Sequence, residues 1–519
     1  MDETEQKDVR RAAPSAGGRM ATGVEGFDDV MGGGFPANRL YLVEGDPGAG
    51  KTTLAMQFLM EGARRGEPVL YVTLSETEEE MRAVADSHGW TLDGVNIYEL
   101  IPHEEMLRPE SQYTIFHPAE IELGETINSM LAEFERLKPR RVVIDSLSEM
   151  RLLAAEALRY RRQVLALKRF FAGRGCTVLM LDDRTTLDAD LQVHSIAHGV
   201  VVLAQAGQGY GTERRTLCVR KLRGARYRGG NHDFKIETGG ILVFPRLVAA
   251  EHRDEGGREA VSSGVAELDA LMGGGLDRGT STLLMGPAGS GKSSLAAQFA
   301  AEAAARGETA DIYIFDEGLT TYLARAEGLG IDLKRHFEAG SVSIKQIDPA
   351  ELSPGEFAHI VRRGIVERRS RVVVIDSLNG YLMAMPEARY LIAQMHELLA
   401  YLNQQGVVTL VITAQHGFLG TSMTTPVDVS YIADTVLLFR YFEAAGAVHN
   451  AVSVIKKRTG GHERTIRELQ LSPRGISVGR ALDEFQGVLT GVPVYRGRSA
   501  SLMDRNEGSG EAGGGDEEG

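Results

Sequence analysis

The sequence predicts an α/β protein of two tandem domains, each a mostly parallel sheet flanked by helices, and three observations predict it. The chain repeats itself: Thr22-Gly-Val-Glu-Gly-Phe-Asp-Asp-Val-Met-Gly-Gly-Gly34 returns 241 residues later as Ser263-Gly-Val-Ala-Glu-Leu-Asp-Ala-Leu-Met-Gly-Gly-Gly275, with seven identities in thirteen positions. Each copy is followed by a short apolar strand, a glycine-rich loop ending Lys-Thr or Lys-Ser, and a helix-like stretch, Leu54-Ala-Met-Gln-Phe58 or Leu295-Ala-Ala-Gln-Phe299. Further on, each half carries a strand ending in acid and then one ending Ile-Asp-Ser-Leu. Strands that alternate with helical segments belong to parallel sheets, because a parallel pair needs a crossover between its strands.

The repeat fixes the organisation. A chain of 519 residues is too long for one core, and the two copies divide it into domains over 19–247 and 261–497. Between them the polar segment Glu251-His-Arg-Asp-Glu-Gly-Gly-Arg-Glu259 marks a linker over 248–260. Residues 1–18 are polar and Ala/Gly-rich, and 498–519 are Gly-rich and acidic, so both are expected to be disordered tails.

Composition removes several function classes. The longest apolar runs, Arg141-Val-Val-Ile-Asp145 and Arg371-Val-Val-Val-Ile-Asp376, stop at a charge far short of the roughly 20 residues a membrane span needs. The acidic opening Met1-Asp-Glu-Thr-Glu has no apolar segment behind it, so no secretory signal is expected and the cytoplasm is the expected compartment. Lys plus Arg number 57 against 71 Asp plus Glu, and a net charge of −14 repels polyanions; a nucleic-acid partner is disfavoured, although the stretch Arg220 to Arg228 could hold phosphate. Cys176 and Cys218 lack both disulfide and metal-ligand spacing and sit in apolar, strand-like settings, where burial is expected.

The chemistry is carried first by the glycine-rich loops. Gly45, Asp46, Pro47, Gly48, Ala49, Gly50, Lys51 and Thr52, followed by Thr53, match G-x-x-x-x-G-K-[ST]; so do Gly286, Pro287, Ala288, Gly289, Ser290, Gly291, Lys292 and Ser293, followed by Ser294. Both are P-loops in the required place between strand and helix. Glycine lets successive backbone N–H groups turn inward around phosphates, and the helix behind adds its dipole. Lys51 and Lys292 supply charge to the β- and γ-phosphates of ATP, while Thr52 and Ser293 offer a hydroxyl to Mg²⁺.

Asp145 and Asp376 close the Ile-Asp-Ser-Leu strands, where an open α/β sheet presents its ligands, and are the candidates to complete the Mg²⁺ shell; a plain turn cap is the other use for such an aspartate. Glu76, Asp316 and Glu317 follow the strand after each P-loop helix and are the candidate acids for orienting or deprotonating a nucleophile. Glu78, Glu79 and Glu80 instead suit the first turn of a helix. Lys221 and Arg223 stand 76 and 78 residues after Asp145, and Lys456 and Arg458 stand 80 and 82 after Asp376. A basic pair so far from its own P-loop could serve a neighbour's γ-phosphate as an arginine finger does, or be a solvated edge-strand pair.

With these motifs together, the chain resembles the KaiC family, double-domain RecA-like P-loop ATPases, from about Thr22 to Pro493, including the closing segment Phe485-Gln-Gly-Val-Leu-Thr-Gly-Val-Pro493. The resemblance implies a two-tiered homohexamer with ATP between subunits, which would put Lys221, Arg223, Lys456 and Arg458 in trans. It also implies autophosphorylation in the second domain, where Ser430 matches the family's serine and Tyr431 replaces the adjacent threonine. The family's pair of catalytic glutamates appears as Ser75-Glu76 and Asp316-Glu317, one Glu kept in each. In the first half, the segment matching the phosphosites reads His194-Ser195-Ile-Ala-His198, which confines phosphorylation to the second. The function expected is an ATP-hydrolysing serine autokinase that signals to protein partners. Two other readings stand beside it: a DNA-associated motor, and a scaffold in which ATP only assembles the ring.

Overall fold

The computed structural model describes residues 18–100, 118–154, 156–184, 190–207, 211–249, 259–382, 388–415, 431–444, 446–488 and 494–495. Residues 1–17 and 498–519 of the expected tails, residues 250–258 of the linker, and Ser430 lie outside these. The chain divides into two compact units, residues 1–247 with 350–361, and 248–349 with 362–519.

The first unit holds a nine-stranded sheet: β1 (Leu40–Gly45), β2 (Val69–Thr73), β3 (Val95–Glu99), β4 (Arg141–Asp145), β5 (Thr177–Asp183), β6 (Gly199–Ala206), β7 (Arg214–Leu222), β8 (Asn231–Glu237) and β9 (Gly240–Phe244). Its spatial order is β3-β2-β4-β5-β1-β6-β7-β8-β9. Pairings from β3 across to β6 are parallel, and those from β6 to β9 antiparallel.

The central strands read as continuous apolar runs because both faces are covered. Tyr41, Val43, Tyr71, Val143 and Leu179 pack on one face with Leu54, Phe58 and Leu59 of the helix Lys51–Arg64. Their neighbours Leu40, Leu42, Leu70, Val72 and Val178 turn the other way, onto Tyr160, Val164 and Leu167 of the helix Ala157–Phe171. This is the two-residue alternation of a pleated strand. Each such fully buried side chain contributes about 1.5–3 kcal/mol, so the sheet holds the loops at its strand ends firmly.

The second unit repeats the plan with β10 (Ser281–Gly286), β11 (Ala310–Ile314), β12 (Val342–Gln346), β13 (Val372–Asp376), β14 (Val408–Ala414), β15 (Thr435–Ala444), β16 (Ala447–Lys457), β17 (Arg467–Ser472) and β18 (Gly475–Ala481). Its order, β12-β11-β13-β14-β10-β15-β16-β17-β18, is that of the first sheet moved on by nine strands. The expected pair of mostly parallel sheets flanked by helices is what the chain forms. Among the described residues no helix is long and apolar enough to cross a membrane. Cys176 is buried, which pushes its thiol up to about 12, but Cys218 is only half-buried, contrary to expectation. Its strand, β7, lies in the antiparallel flank, whose burial alternates along the strand.

Candidate functional site

Each P-loop leads from the central strand, β1 or β10, into a helix, Lys51–Arg64 or Lys292–Ala305. The residues at the helix starts, Gly50 and Gly291, have φ of 99° and 94°, left-handed values that glycine adopts without strain. Neither helix has a side-chain cap, so the first-turn N–H groups keep their donors for whatever lies in the loop.

In the first site the Lys51 amine donates to the carbonyls of Gly45 at 2.9 Å and Asp46 at 3.1 Å and pairs with Asp183 Oδ1 at 2.7 Å. Asp183 ends β5, the strand beside β1, in register with Gly45. Thr52 Oγ1 donates to Asp145 Oδ2 at 3.2 Å, and Tyr71 Oη donates to the same oxygen at 2.5 Å. Burial pushes the Asp145 carboxyl above the usual carboxylate range, against the hydrogen bonds from Tyr71 and Thr52 and the charge of Lys51.

Glu76 stands three residues beyond the end of β2, in a turn pinned by Thr73: the Thr73 hydroxyl donates to the Glu76 carbonyl at 2.8 Å and accepts its N–H at 3.0 Å. Its Oε2 is buried with no hydrogen-bond partner among the described residues. Burial, then the charges of Asp145 and Glu80, raise its pKa. Glu78, Glu79 and Glu80 do form the first turn of the helix Glu78–Ser87, closed by a capping box between Thr77 and Glu80.

The second site has the same skeleton with different partners. Lys292 donates to the carbonyls of Gly286 at 2.9 Å and Pro287 at 2.5 Å, and burial pulls its pKa down to about 8 against the charge of Asp376. Burial pushes Asp376 up to about 6, opposed by a hydrogen bond from Ser293 and by Arg325. Asp316 is exposed and accepts from Ser377 Oγ at 2.6 Å, while Glu317 is ion-paired with Arg325 at 2.7 Å. Gly289, Gly291, Lys292, Ser293, Ser294 and Arg325 line a cavity of about 370 Å³.

The P-loop lysines, the hydroxyls of Thr52 and Ser293, the aspartates and the acids that follow β2 and β11 thus gather at the C-terminal strand ends. The basic pairs do not. Lys221 pairs with Val200 near the start of β6, whereas Gly45 pairs with Leu203. That separation is three residues, about 10 Å along the strand. Lys221 donates to the carbonyls of His194 and Ala197, and Arg223 to that of Ser195 at 3.1 Å. Lys456 donates to the carbonyl of Ala433 at 2.7 Å and Arg458 to that of Tyr431 at 2.8 Å. Three neighbours escaped the sequence reading. Asp183 ends its strand in acid and was findable by that signal; Tyr71 and Arg325 sit inside a strand and a helix with none.

A family model described as "ATPase: KaiC" matches residues 20–248 and again 261–483. The chain belongs to the KaiC ATPase family. It is 28% identical over 485 residues to the circadian clock oscillator protein KaiC of Acaryochloris marina, covering 92% of this chain and 91% of that one. The KaiC of Synechococcus elongatus is also 28% identical, over 92% of each chain. The clock protein KaiC3 of a Synechocystis strain is 26% identical, over 93% of this chain and 95% of its own. KaiC-type ATPase domains therefore occupy both halves, and membership implies nucleotide binding.

Proposed function

We propose that both P-loops bind ATP with Mg²⁺, that the first hydrolyses it with Glu76 as the proton acceptor, and that the second passes the γ-phosphoryl group to Ser430 as a signal read by protein partners. The observation that carries the reading is the contact of Thr52 with Asp145 beside Lys51, with a Glu76 oxygen nearby that has no partner among the described residues. A hydroxyl and a carboxylate held together are hard oxygen donors suited to Mg²⁺, and the raised pKa of Asp145 fits a buried carboxylate built to meet a cation. Thr52 with Asp145, and Ser293 with Asp376, would hold the ion. When bound, it supplies positive charge to the phosphate oxygens.

At the first site Lys51 and the loop N–H groups orient the triphosphate. A water oxygen bonds to the γ-phosphorus as the bond to the β-phosphate oxygen breaks, and Glu76 takes the water's proton; its raised pKa makes it the stronger base. At the second site the Ser430 hydroxyl oxygen bonds to the γ-phosphorus as the bond to the β-phosphate oxygen breaks, its proton passes to the exposed Asp316 carboxylate, and ADP leaves. That assignment rests on the family resemblance around Ser430. The basic pairs, remote from their own P-loops, suit phosphates presented by a neighbouring subunit, which supports a ring, taken here as a hexamer.

The test is a time course with γ-labelled ATP and Mg²⁺ on the full chain, following released phosphate and protein-bound label. Label should enter the wild type and the Lys51→Ala chain and vanish in Lys292→Ala and Ser430→Ala. Phosphate release without protein label would leave an ATPase switch and remove the autokinase; neither product would remove turnover altogether.

A further inference from the structure

The helix Leu319–Gly328 follows the second site's acidic turn as Glu78–Ser87 follows the first. At the 241-residue offset of the repeat, Arg325 falls opposite Val84. Val84 packs on the first unit's core, whereas Arg325 lines the P-loop cavity with Lys292 and Ser293. Its guanidinium lies over the Tyr322 ring, 4.8 Å from the centroid, and its Nη1 pairs with Glu317 Oε2 at 2.7 Å. Its Nη2 is buried and makes no hydrogen bond among the described residues.

A structural arginine–carboxylate pair tends to be bidentate, so that both outer nitrogens are used. This one leaves a buried charged donor unmet, an arrangement that burial disfavours. Stacking on Tyr322 and the one-nitrogen ion pair with Glu317 hold the guanidinium while leaving a donor for an acceptor in the cavity. An acceptor beside Lys292 and Ser293 is a phosphate oxygen. We propose that Arg325 is a phosphate-contacting arginine, supplied by the same subunit, that makes the second P-loop prefer a nucleoside triphosphate to the diphosphate. The first P-loop has no such residue at this position. The inference rests on the reading that the second P-loop binds ATP, and it adds the residue that senses the terminal phosphate.

The experiment uses the full-length Lys51→Ala chain, so that the second site is read alone, with fluorescent N-methylanthraniloyl ATP and ADP as probes. Arg325→Ala is expected to weaken the triphosphate about tenfold and the diphosphate less than about twofold. Arg325→Lys should recover part of the difference, because the charge stays but the planar fork is lost. Glu317→Gln, which releases Arg325 from its partner, should keep the preference for triphosphate. Equal losses for both probes, or no loss, overturn the inference and leave Arg325 as packing for its helix. If the parent Lys51→Ala chain binds neither probe, the underlying reading of the second P-loop fails, and this inference with it.

Discussion

The two P-loop sites are built on the same strand order and differ in which charged group is tied. In the first, the lysine is held by Asp183 and one Glu76 oxygen has no partner among the described residues. In the second, Lys292 is held by carbonyls alone among the described residues, and the glutamate is held by Arg325. Register accounts for half of this. Asp183 pairs with Gly45 where Ala414 pairs with Gly286, and Tyr71, which bonds Asp145, stands where the second sheet has Ile312. A shared motif thus fixes what is bound, while the neighbours set how it is used. On the proposed reading, the first site has its base ready, and the second has its phosphate-binding cations ready.

The largest expected effect divides the two glutamates. Glu76→Gln should lower phosphate release from the first site by about 100-fold or more, the ordinary worth of a positioned general base. Glu317→Gln should cost less than about threefold, because its carboxylate is already engaged. Phosphate release for Glu76→Gln in the Lys292→Ala chain, and protein-bound label for Glu317→Gln in the Lys51→Ala chain, make the comparison. Equal losses would erase the distinction drawn here.

Stability sharpens it next. The Asp376 carboxyl is raised from 3.8 to about 6 by burial, so the folded chain binds that proton more tightly than the unfolded one. Its ionisation therefore destabilises the fold as pH rises from about 4 through 6, and the full penalty is present at pH 7. Asp376→Asn should stabilise the chain by about 2–3 kcal/mol at pH 7 while abolishing second-site chemistry. The gain should vanish near pH 3.5. Thermal melts at the two pH values check it; no gain at neutral pH would mean that the Ser293 hydrogen bond offsets the burial.

How much of this was legible beforehand follows from where each signal lives. The P-loops, Asp145 and Asp376 were readable because glycine spacing, strand alternation and strand-end acids are local to the chain. The offset of the repeat aligned Glu76 with Glu317 before any coordinates. Asp183, Tyr71 and Arg325 act across strands or from a following helix, so their partners exist only once register is fixed. Cys218 was misjudged for the same reason, since only the sheet order shows that β7 lies in the antiparallel flank. The basic pairs were found as equivalent positions, but nothing local shows that they hold the carbonyls of Ser195 and Tyr431.

A pH series separates the lysines. Lys292 has its pKa pulled down to about 8 by burial, and phosphate binding needs the ammonium form. In the Lys51→Ala chain, ATP affinity should be level below pH 8 and then fall by up to about tenfold per pH unit. In the Lys292→Ala chain this limb should be absent. Fluorescent-nucleotide titrations between pH 7 and 10 measure both. A level profile to pH 10 would mean that Lys292 keeps its proton to pH 10 in the nucleotide-free site as well.

The smallest effect concerns Asp183, whose pair with Lys51 is partly exposed on the aspartate side, at 29%. Exposed pairs are worth only about 0–1 kcal/mol, so releasing the lysine should tighten ATP at the first site by about two- to fivefold. Asp183→Ala, measured in the Lys292→Ala chain, tests this directly. The reciprocal change, Ala414→Asp in the Lys51→Ala chain, should loosen ATP at the second site by a similar factor, because the register places that carboxylate beside Gly286 as Asp183 stands beside Gly45. If Asp183→Ala weakens binding instead, its carboxylate helps Asp145 to hold the cation, and the two sites differ in how they bind the metal as well as in which charge is tied.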